Sequence, residues 1–426
     1  MKDERSLPTG RLGRLGRLFS VGARAGLDLL GSRDSHRSAE RAAEVLGTLR
    51  GLAAKVGQMA SYVDGVIPEQ HRAAYETAMG TLRSAAPRSP FPEIKGLIES
   101  ELGGSIDALF HSFEEQPIAS ASIGQVHRAF VRDSSSSSHE VAVKVQHPGI
   151  VAALESDLAN ASILEQMMAI GGTRRFNSQG MLEMIRTRFR EELDYRLEAT
   201  RQRAFAQIHA GDPTIRVPSV FDGLSSGRVL TSEFVRGASF EQAITAPEAD
   251  RRAWAETMWR FVFKGNLFGD MFNADPHPGN YLFSDGGVVT FLDYGCVQPI
   301  PPAHHELAHA VHRAAVTRDE SAFREAGKRL LGTKPGPLEA LVLRYLRRCF
   351  EPLFVSPFRM TREYAASLVS DFKDMSTAAF QMDTQYIFPM PTEILFMNRL
   401  QFGFYSVLAR LDVEVDYAVI ESQFLK

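Results

Sequence analysis

The stretch from Asn273 to Gly295, NADPHPGNYLFSDGGVVTFLDYG, constrains this chain more than any other. It sets Asp275 and, five residues on, Asn280 ahead of a second acidic residue, Asp293, inside Asp293-Tyr294-Gly295. Phosphoryl transfer uses such an order: one aspartate sits at the attacking group, an amide five residues later holds one magnesium, and the aspartate of a D-x-G turn holds another. Both metal ligands must converge on one phosphate cluster, and a hairpin between them achieves that. Tyr281-Leu282-Phe283 and Val288 to Leu292 have the character of short strands, with Asp285-Gly286-Gly287 as the turn. Asn280 and Asp293 then meet at the open end. Pro276 and Pro278 fix φ locally and stiffen the loop that carries Asp275.

A site of this kind needs a nucleotide and a second lobe, and the chain has material for both. Its 426 residues, 44% hydrophobic and 23% charged, describe a globular protein of two or three domains rather than a disordered or fibrous one. A net charge of -3, from 48 basic and 51 acidic residues, gives no global field for nucleic acid. Only Cys296 and Cys349 occur, which excludes a disulfide framework and fits a reducing, cytoplasmic compartment. No apolar run is long enough to cross a bilayer. The best candidate, Ile394 to Leu411, is broken by Asn398, Arg399, Gln401 and Arg410 and reads as a buried helix. No secretory h-region opens the chain.

Along the chain, residues 1–37 form a flexible basic segment. Arg11, Arg14 and Arg17 recur beside Leu12, Leu15 and Leu18, a pattern suited to a helix lying on an anionic membrane surface. Gly13 and Gly16 weaken that helix in water. Residues 38–105 have helical spacing and contain Lys55-Val56-Gly57-Gln58, whose lysine sits among small and apolar neighbours. A β-like segment follows. Ile118 to Val131 and Val141 to Val145 flank a serine tract that cannot pack, and strict alternation puts Val141, Val143 and Val145 on one face with Lys144 on the other. Helices are expected over Val151 to Ile170 and Met181 to Ala210. In the second, Glu191, Asp194, Tyr195 and Glu198 share a face with Glu192 to one side, and Lys144 and Lys55 are candidates to answer these carboxylates. Arg228 to Gly237 reads as a hinge strand, on which Glu233 and Val235 are candidate nucleotide contacts. Beyond Ser239 everything except the hairpin is helical in pattern, including Trp254 to Phe268 and Leu338 to Phe350.

Placed in this order, the pieces resemble the UbiB/AarF family of atypical protein-kinase-like proteins from about Val45 to Pro299. Lys55 to Gln58 is similar to the family's K-x-G-Q element, Pro117 to His127 to its Ala-rich loop, and Val141 to Gly149 to its lysine strand. Glu192-Leu193-Asp194 resembles its E-x-D motif, and D-P-H-P-G-N and D-Y-G its metal-binding elements. The resemblance implies an α+β, two-lobed kinase-like fold, with an N-lobe over 106–236 and a mostly helical C-lobe over 237–426. It implies that ATP or ADP binds with Mg2+, that Lys144 pairs with Glu198, and that Lys55 and Gln58 lie with Glu192 and Asp194 over the cleft. It makes Ala119, Ser120, Ala121 and Ser122 the phosphate loop. That loop is not G-x-G-x-x-G, so the backbone approaches phosphates less freely, and no A-P-E element follows Gly295, which argues against phosphorylation of proteins in trans. The chain departs from the family in having Asn273 before Ala-Asp-Pro, where His is common, and Tyr294 in place of Phe. The family is linked to isoprenoid quinone and lipid metabolism at membranes, so an isoprenoid lipid or an anionic membrane surface is an expected partner.

Two other classes compete. A pseudokinase scaffold would bind nucleotide without turnover, against which stands the retention of Lys144, Glu198, Asp275, Asn280 and Asp293. His305-Glu306-Leu307-Ala308-His309 fits H-E-x-x-H, which on a helix would offer zinc two ligands and a base. It lacks an identifiable third ligand.

Overall fold

The computed structural model describes residues 88–121, 123–132, 138–153, 155, 187, 190–382 and 393–425. The basic N-terminal segment, Lys55, Gln58 and Ser122 lie outside the described residues, as does most of the stretch 151–189. The chain divides into two compact units: one holds the described residues up to 196 together with 221–232, the other 197–220 and 233–426.

The first unit is built on a sheet. β1 (Ser112–Phe113), β2 (Ala119–Ser120), β3 (Gly124–Arg132), β4 (Ser138–Gln146) and β6 (Val229–Glu233) give the order β1-β3-β4-β6, with β2 also on β3. β3 and β4 pair antiparallel through their full lengths, from Gly124 opposite Gln146 to Arg132 opposite Ser138. The alternation in V-A-V-K-V works as its period dictates. Val141, Val143 and Val145 are fully buried against Ile94 and Ile98 of helix α1 (Phe91–Leu102), while Lys144 takes the other face. The hinge strand stops at Glu233, short of the expected Gly237, because the chain there turns to bridge Ala238 with Phe283. At Gly237 a Cβ would lie 2.9 Å from Leu282 Cβ and from the Phe283 carbonyl oxygen, so the close approach needs glycine.

The expected continuous helix over 181–210 is broken. Leu193 and Asp194 leave the helical path, and α2 (Tyr195–Ile208) starts anew. Three bonds reward the break: Gln146 Nε2 donates to the Leu193 carbonyl (2.6 Å), Tyr195 N–H to the Gly227 carbonyl (3.0 Å), and Arg196 N–H to Asp194 Oδ1 (3.0 Å). Glu191 and Asp194 therefore do not share one helix face with Tyr195 and Glu198.

The second unit is mostly helical, with a short strand, β5 (Ile215–Arg216), near its start. Helix α3 (Glu248–Phe268) runs through its core, surrounded by α4 (Pro302–Val316), α5 (Glu320–Leu331), α6 (Pro337–Cys349), α7 (Arg362–Gln381), α8 (Glu393–Leu411) and α9 (Tyr417–Ser422). α8 covers the apolar run that sequence reading made a buried helix, and Leu400, Phe404, Val407 and Leu411 are buried in it. No helix among the described residues is long and apolar enough to cross a membrane. The expectation of helix alone outside the hairpin is corrected: β7 (Met271–Asn273) pairs with β10 (Val297–Pro299), and β11 (Phe358–Arg359) with β12 (Glu414–Val415).

Candidate active site

The hairpin forms as its turn chemistry demands. β8 (Tyr281–Ser284) and β9 (Val288–Phe291) pair from Tyr281 opposite Phe291 to Ser284 opposite Val288, and Gly286 and Gly287 take φ of 70° and 76° between them. The hairpin is clamped onto α3. Trp254 Nε1 donates to the Ser284 carbonyl (2.8 Å), the Thr257 hydroxyl to the Gly287 carbonyl (2.9 Å), and the Phe261 and Phe291 rings stack with centroids 3.6 Å apart. At the open end Leu292 N–H donates to the Asn280 carbonyl (3.0 Å), which brings Asn280 alongside the Leu292-Asp293 step.

The two acidic loops are tied by a residue to which sequence reading gave no role. Asn273 accepts from Asp275 N–H through Oδ1 (3.0 Å) and donates through Nδ2 to the Asp293 carbonyl (2.6 Å). One amide thus fixes the main chain at both aspartates. Asn280 Nδ2 in turn donates to the Asp275 carbonyl (3.1 Å), and Gly295 N–H donates to Asp293 Oδ1 (2.9 Å). The signal for Asn273 was its place two residues before Asp275. Recognising it required knowing that β7 and β10 pair, which puts Asn273 opposite Val297.

Glu198, 2% exposed, belongs to the same unit and faces this loop. A Cβ built on Gly295 would sit 3.3 Å from Asp293 Oδ1 and 3.6 Å from Glu198 Oε2. Burial, then the charges of Asp293 and Glu198, hold the Tyr294 hydroxyl well above its ordinary pKa. Its proton is kept, and it donates to the Phe291 carbonyl (3.0 Å), so the hydroxyl that tyrosine adds to this D-x-G turn finds an acceptor in the main chain. Pro276 is pressed by α8, where a Cβ at Gly403 would meet Pro276 Cγ at 2.5 Å.

In the sheet unit, Lys144 stands opposite Val126 with its Nζ 5.0 Å from the Tyr195 ring centroid, a cation–π contact. Ala119 pairs with Val126 and Ser120 with Gln125, and Ala121 N–H donates to the Gly124 carbonyl (2.8 Å), closing the turn. Buried polar side chains hold that turn. The Ala121 carbonyl accepts from His147 Nε2 (3.1 Å), while His147 Nδ1 accepts from the Ser89 hydroxyl (2.9 Å). Gln125 accepts from Ser89 N–H (2.8 Å) and donates to His127 Nε2 (2.9 Å), and His127 Nδ1 donates to the Glu114 carbonyl (2.9 Å). Burial lowers the His127 pKa, which suits the neutral tautomer these bonds require. At Gly124 a Cβ would lie 2.5 Å from the Val145 carbonyl oxygen, so glycine is obligatory. Glu192 is buried and Asp194 exposed. On the hinge, Glu233 bonds Arg216, and its N–H donates to the Ser219 carbonyl (2.8 Å); Val235 lies just beyond the strand end.

The donor set fits Mg2+. Asp275, Asn280 and Asp293 offer oxygens only, and magnesium is commonly held by one or two carboxylates, with phosphates and water completing its shell. Among the described residues no group of three or more His, Cys, Asp or Glu gathers as a metal cage. A site of two carboxylates and an amide does not require one. The H-E-x-x-H helix is otherwise engaged: His305 Nδ1 bonds Asp270, and His309 Nε2 donates to the Leu267 carbonyl (2.5 Å). Those bonds tie α4 to the end of α3, and the zinc reading has no support in this geometry.

The chain is similar to several known proteins. A family profile described as the ABC1 atypical kinase-like domain matches residues 81–327. The chain is similar to "Atypical kinase COQ8B, mitochondrial" of Rattus norvegicus, 30% identical over 312 residues, covering 68% of this chain and 57% of that protein. It is also similar to "AarF domain-containing protein kinase 1" of Xenopus tropicalis, 28% identical over 315 residues, covering 72% and 58%. The chain thus spans somewhat more than half the length of these relatives. Among solved structures, that of the Rv3197–erythromycin complex from Mycobacterium tuberculosis is similar with a TM-score of 0.61 and 28% identity, covering 89% of this chain and 93% of that one.

Proposed function

Because the chain belongs to the ABC1 atypical kinase-like family, the UbiB/AarF family, we propose that it is a magnesium-dependent ATPase or a kinase of small molecules or lipids, acting at a membrane surface in isoprenoid quinone or lipid metabolism. Lys144, with Glu198 as its partner, orients the nucleotide phosphates. Asn280 and Asp293 hold magnesium, and the Ala119–Ser122 loop, Glu233 and Val235 meet the nucleotide. Asp275 orients or deprotonates the attacking group, water or a substrate hydroxyl. When bound, magnesium would neutralise charge on the transferred phosphoryl oxygens.

The observation that carries this reading is the clamp by Asn273, which ties the main chain of Asp275 to that of Asp293. Preorganised loops of this sort place charge where the transition state needs it, without reorganisation at the moment of reaction. The short return from Asp293 to β10 supports a small acceptor or water rather than an extended peptide.

The test is ATP turnover with and without anionic liposomes, alongside the melting temperature with Mg2+ and ATP or ADP. The expected result is magnesium-dependent stabilisation by nucleotide, and turnover that Asp293→Asn lowers by about 10²–10³-fold. Nucleotide stabilisation in Asp293→Asn equal to that of the parent would refute the metal assignment. Full nucleotide binding without any turnover would make the chain a nucleotide-binding scaffold.

A further inference from the structure

The helical unit contains a partly open cavity of about 130 Å³ whose walls the proposed chemistry does not use. Helices α3, α4, α5, α6, α7 and α8 all contribute to it, mainly with aromatic, aliphatic and methionine side chains. Asn266 breaks that pattern. It lines the cavity at 2% exposure, and neither its Nδ2 nor its Oδ1 has a hydrogen-bond partner among the described residues. Buried amides without partners are costly and rare, and an aliphatic side chain would fill the same place without that cost. Asn398 supplies a second donor of the same kind: its Oδ1 accepts from the Tyr345 hydroxyl (2.8 Å), while its Nδ2 has no partner among the described residues.

The charge in the wall is already answered. Glu421, fully buried, accepts from Trp259 Nε1 (3.1 Å) and from His312 Nδ1 (2.6 Å). An anionic occupant would face that carboxylate, and a cationic one would lose its hydration without a spare counter-charge. Beside that carboxylate the polar wall groups are neutral amides, Asn266, Asn398 and Gln401, and the imidazole of His304, set in mainly apolar walls, the composition of a small-molecule pocket.

We infer that this cavity is a binding site for a small, neutral, mainly apolar molecule carrying one carbonyl or hydroxyl group, with Asn266 meeting the polar end. A dry apolar cavity of about 150 Å³ accommodates one benzene, so the occupant is about the size of a single ring. Occupancy also bears on the candidate active site. Phe272 lines the cavity and its neighbour Asn273 clamps the two aspartate loops, while Pro299, paired with Met271 across β7 and β10, is another wall residue. This coupling rests on the function proposed above, whereas the binding does not.

Binding is therefore measured first on the full chain without nucleotide, by calorimetry and melting temperature, with benzyl alcohol and toluene as probes. Saturable binding of benzyl alcohol is expected, about ten-fold tighter than toluene, as one additional hydrogen bond provides. Asn266→Val removes that preference while raising the melting temperature, since it deletes an unsatisfied amide. Val342→Phe, or Leu346→Phe should the first not fold, fills the cavity and abolishes binding of both probes. The proposal is overturned if wild-type protein shows no saturable binding, holding ordered water only, if the two probes bind equally, or if both filling variants bind undiminished. ATP turnover with benzyl alcohol present is read separately. A rate change that Asn266→Val abolishes supports the coupling through β7, and an unchanged rate with binding intact removes the coupling alone.

Discussion

In the sheet unit the loop between β2 and β3 is held from outside by side chains, through Ser89, Gln125, His127 and His147. In the helical unit the aspartate loops are held largely by main chain. The hairpin register sets Asn280 beside Leu292, β7 pairs with β10, and one side-chain amide, that of Asn273, joins the two loops. Side-chain networks distribute positional control over several residues, and main-chain registers concentrate it in a few. Damage should accordingly be graded in the first unit and abrupt in the second.

Substitutions test that contrast, and the largest effect belongs to the clamp. Asn273→Ala cuts both ties and is expected to lower turnover by about 100-fold, the cost of roughly 1 Å of misplacement, with a melting temperature within a few degrees of the parent. A loss of less than three-fold would show that the hairpin register alone suffices. Gly403→Ala pushes on Pro276 from outside, and turnover is expected to fall about ten-fold. In the sheet unit, Gly124→Ala drives a methyl into the Val145 carbonyl and should cost about 1–3 kcal/mol in denaturant unfolding. Gln125→Ala leaves Ser89 N–H and His127 Nε2 without their bonds to it, for about 1–3 kcal/mol, and a matching His147→Ala value would show the network sharing its load.

The smallest expected effect is on pH dependence. His209 packs against the rings of Phe205 and Phe261, with centroids at 6.1 and 4.7 Å, and neither ring nitrogen has a partner among the described residues. Burial, with Lys264 adding to it, pushes its pKa down to about 3. A histidine whose folded pKa lies below its unfolded value of about 6.5 contributes full stability above that value. The contribution is lost as pH falls from about 6.5 toward 3, with a slope of at most about 1.4 kcal/mol per pH unit. His209→Phe should flatten that part of the stability profile, and an unchanged slope would place acid sensitivity elsewhere.

What the sequence disclosed follows from the range of each signal. The hairpin and the lysine strand were legible because their periods and turn residues are local: Asp-Gly-Gly between two apolar runs, and valine alternating through Val145. Helix α8 was legible from its polar interruptions. The break at Leu193-Asp194 was not, because it is stabilised by Gln146 and Gly227, distant in the chain. The same reason concealed β7 and β10, whose strands are three residues each and acquire meaning only as partners. The role of Asn273 stayed hidden with them. His305 and His309 offered only a remote zinc alternative, and spacing alone could not show that Asp270 and the Leu267 carbonyl engage them.

β10 begins at Val297, four residues after Asp293, and the intervening turn is anchored at several points. Ala274 N–H donates to the Cys296 carbonyl (2.8 Å), and Arg201 Nη1 to the Gly295 carbonyl (2.9 Å). Swinging Asp293 away from the centre would strain these anchors and sever the bond from Asn273 Nδ2 to the Asp293 carbonyl. The aspartate behaves as a rivet rather than a latch, and on–off control of this protein would have to govern what reaches the centre rather than the centre itself.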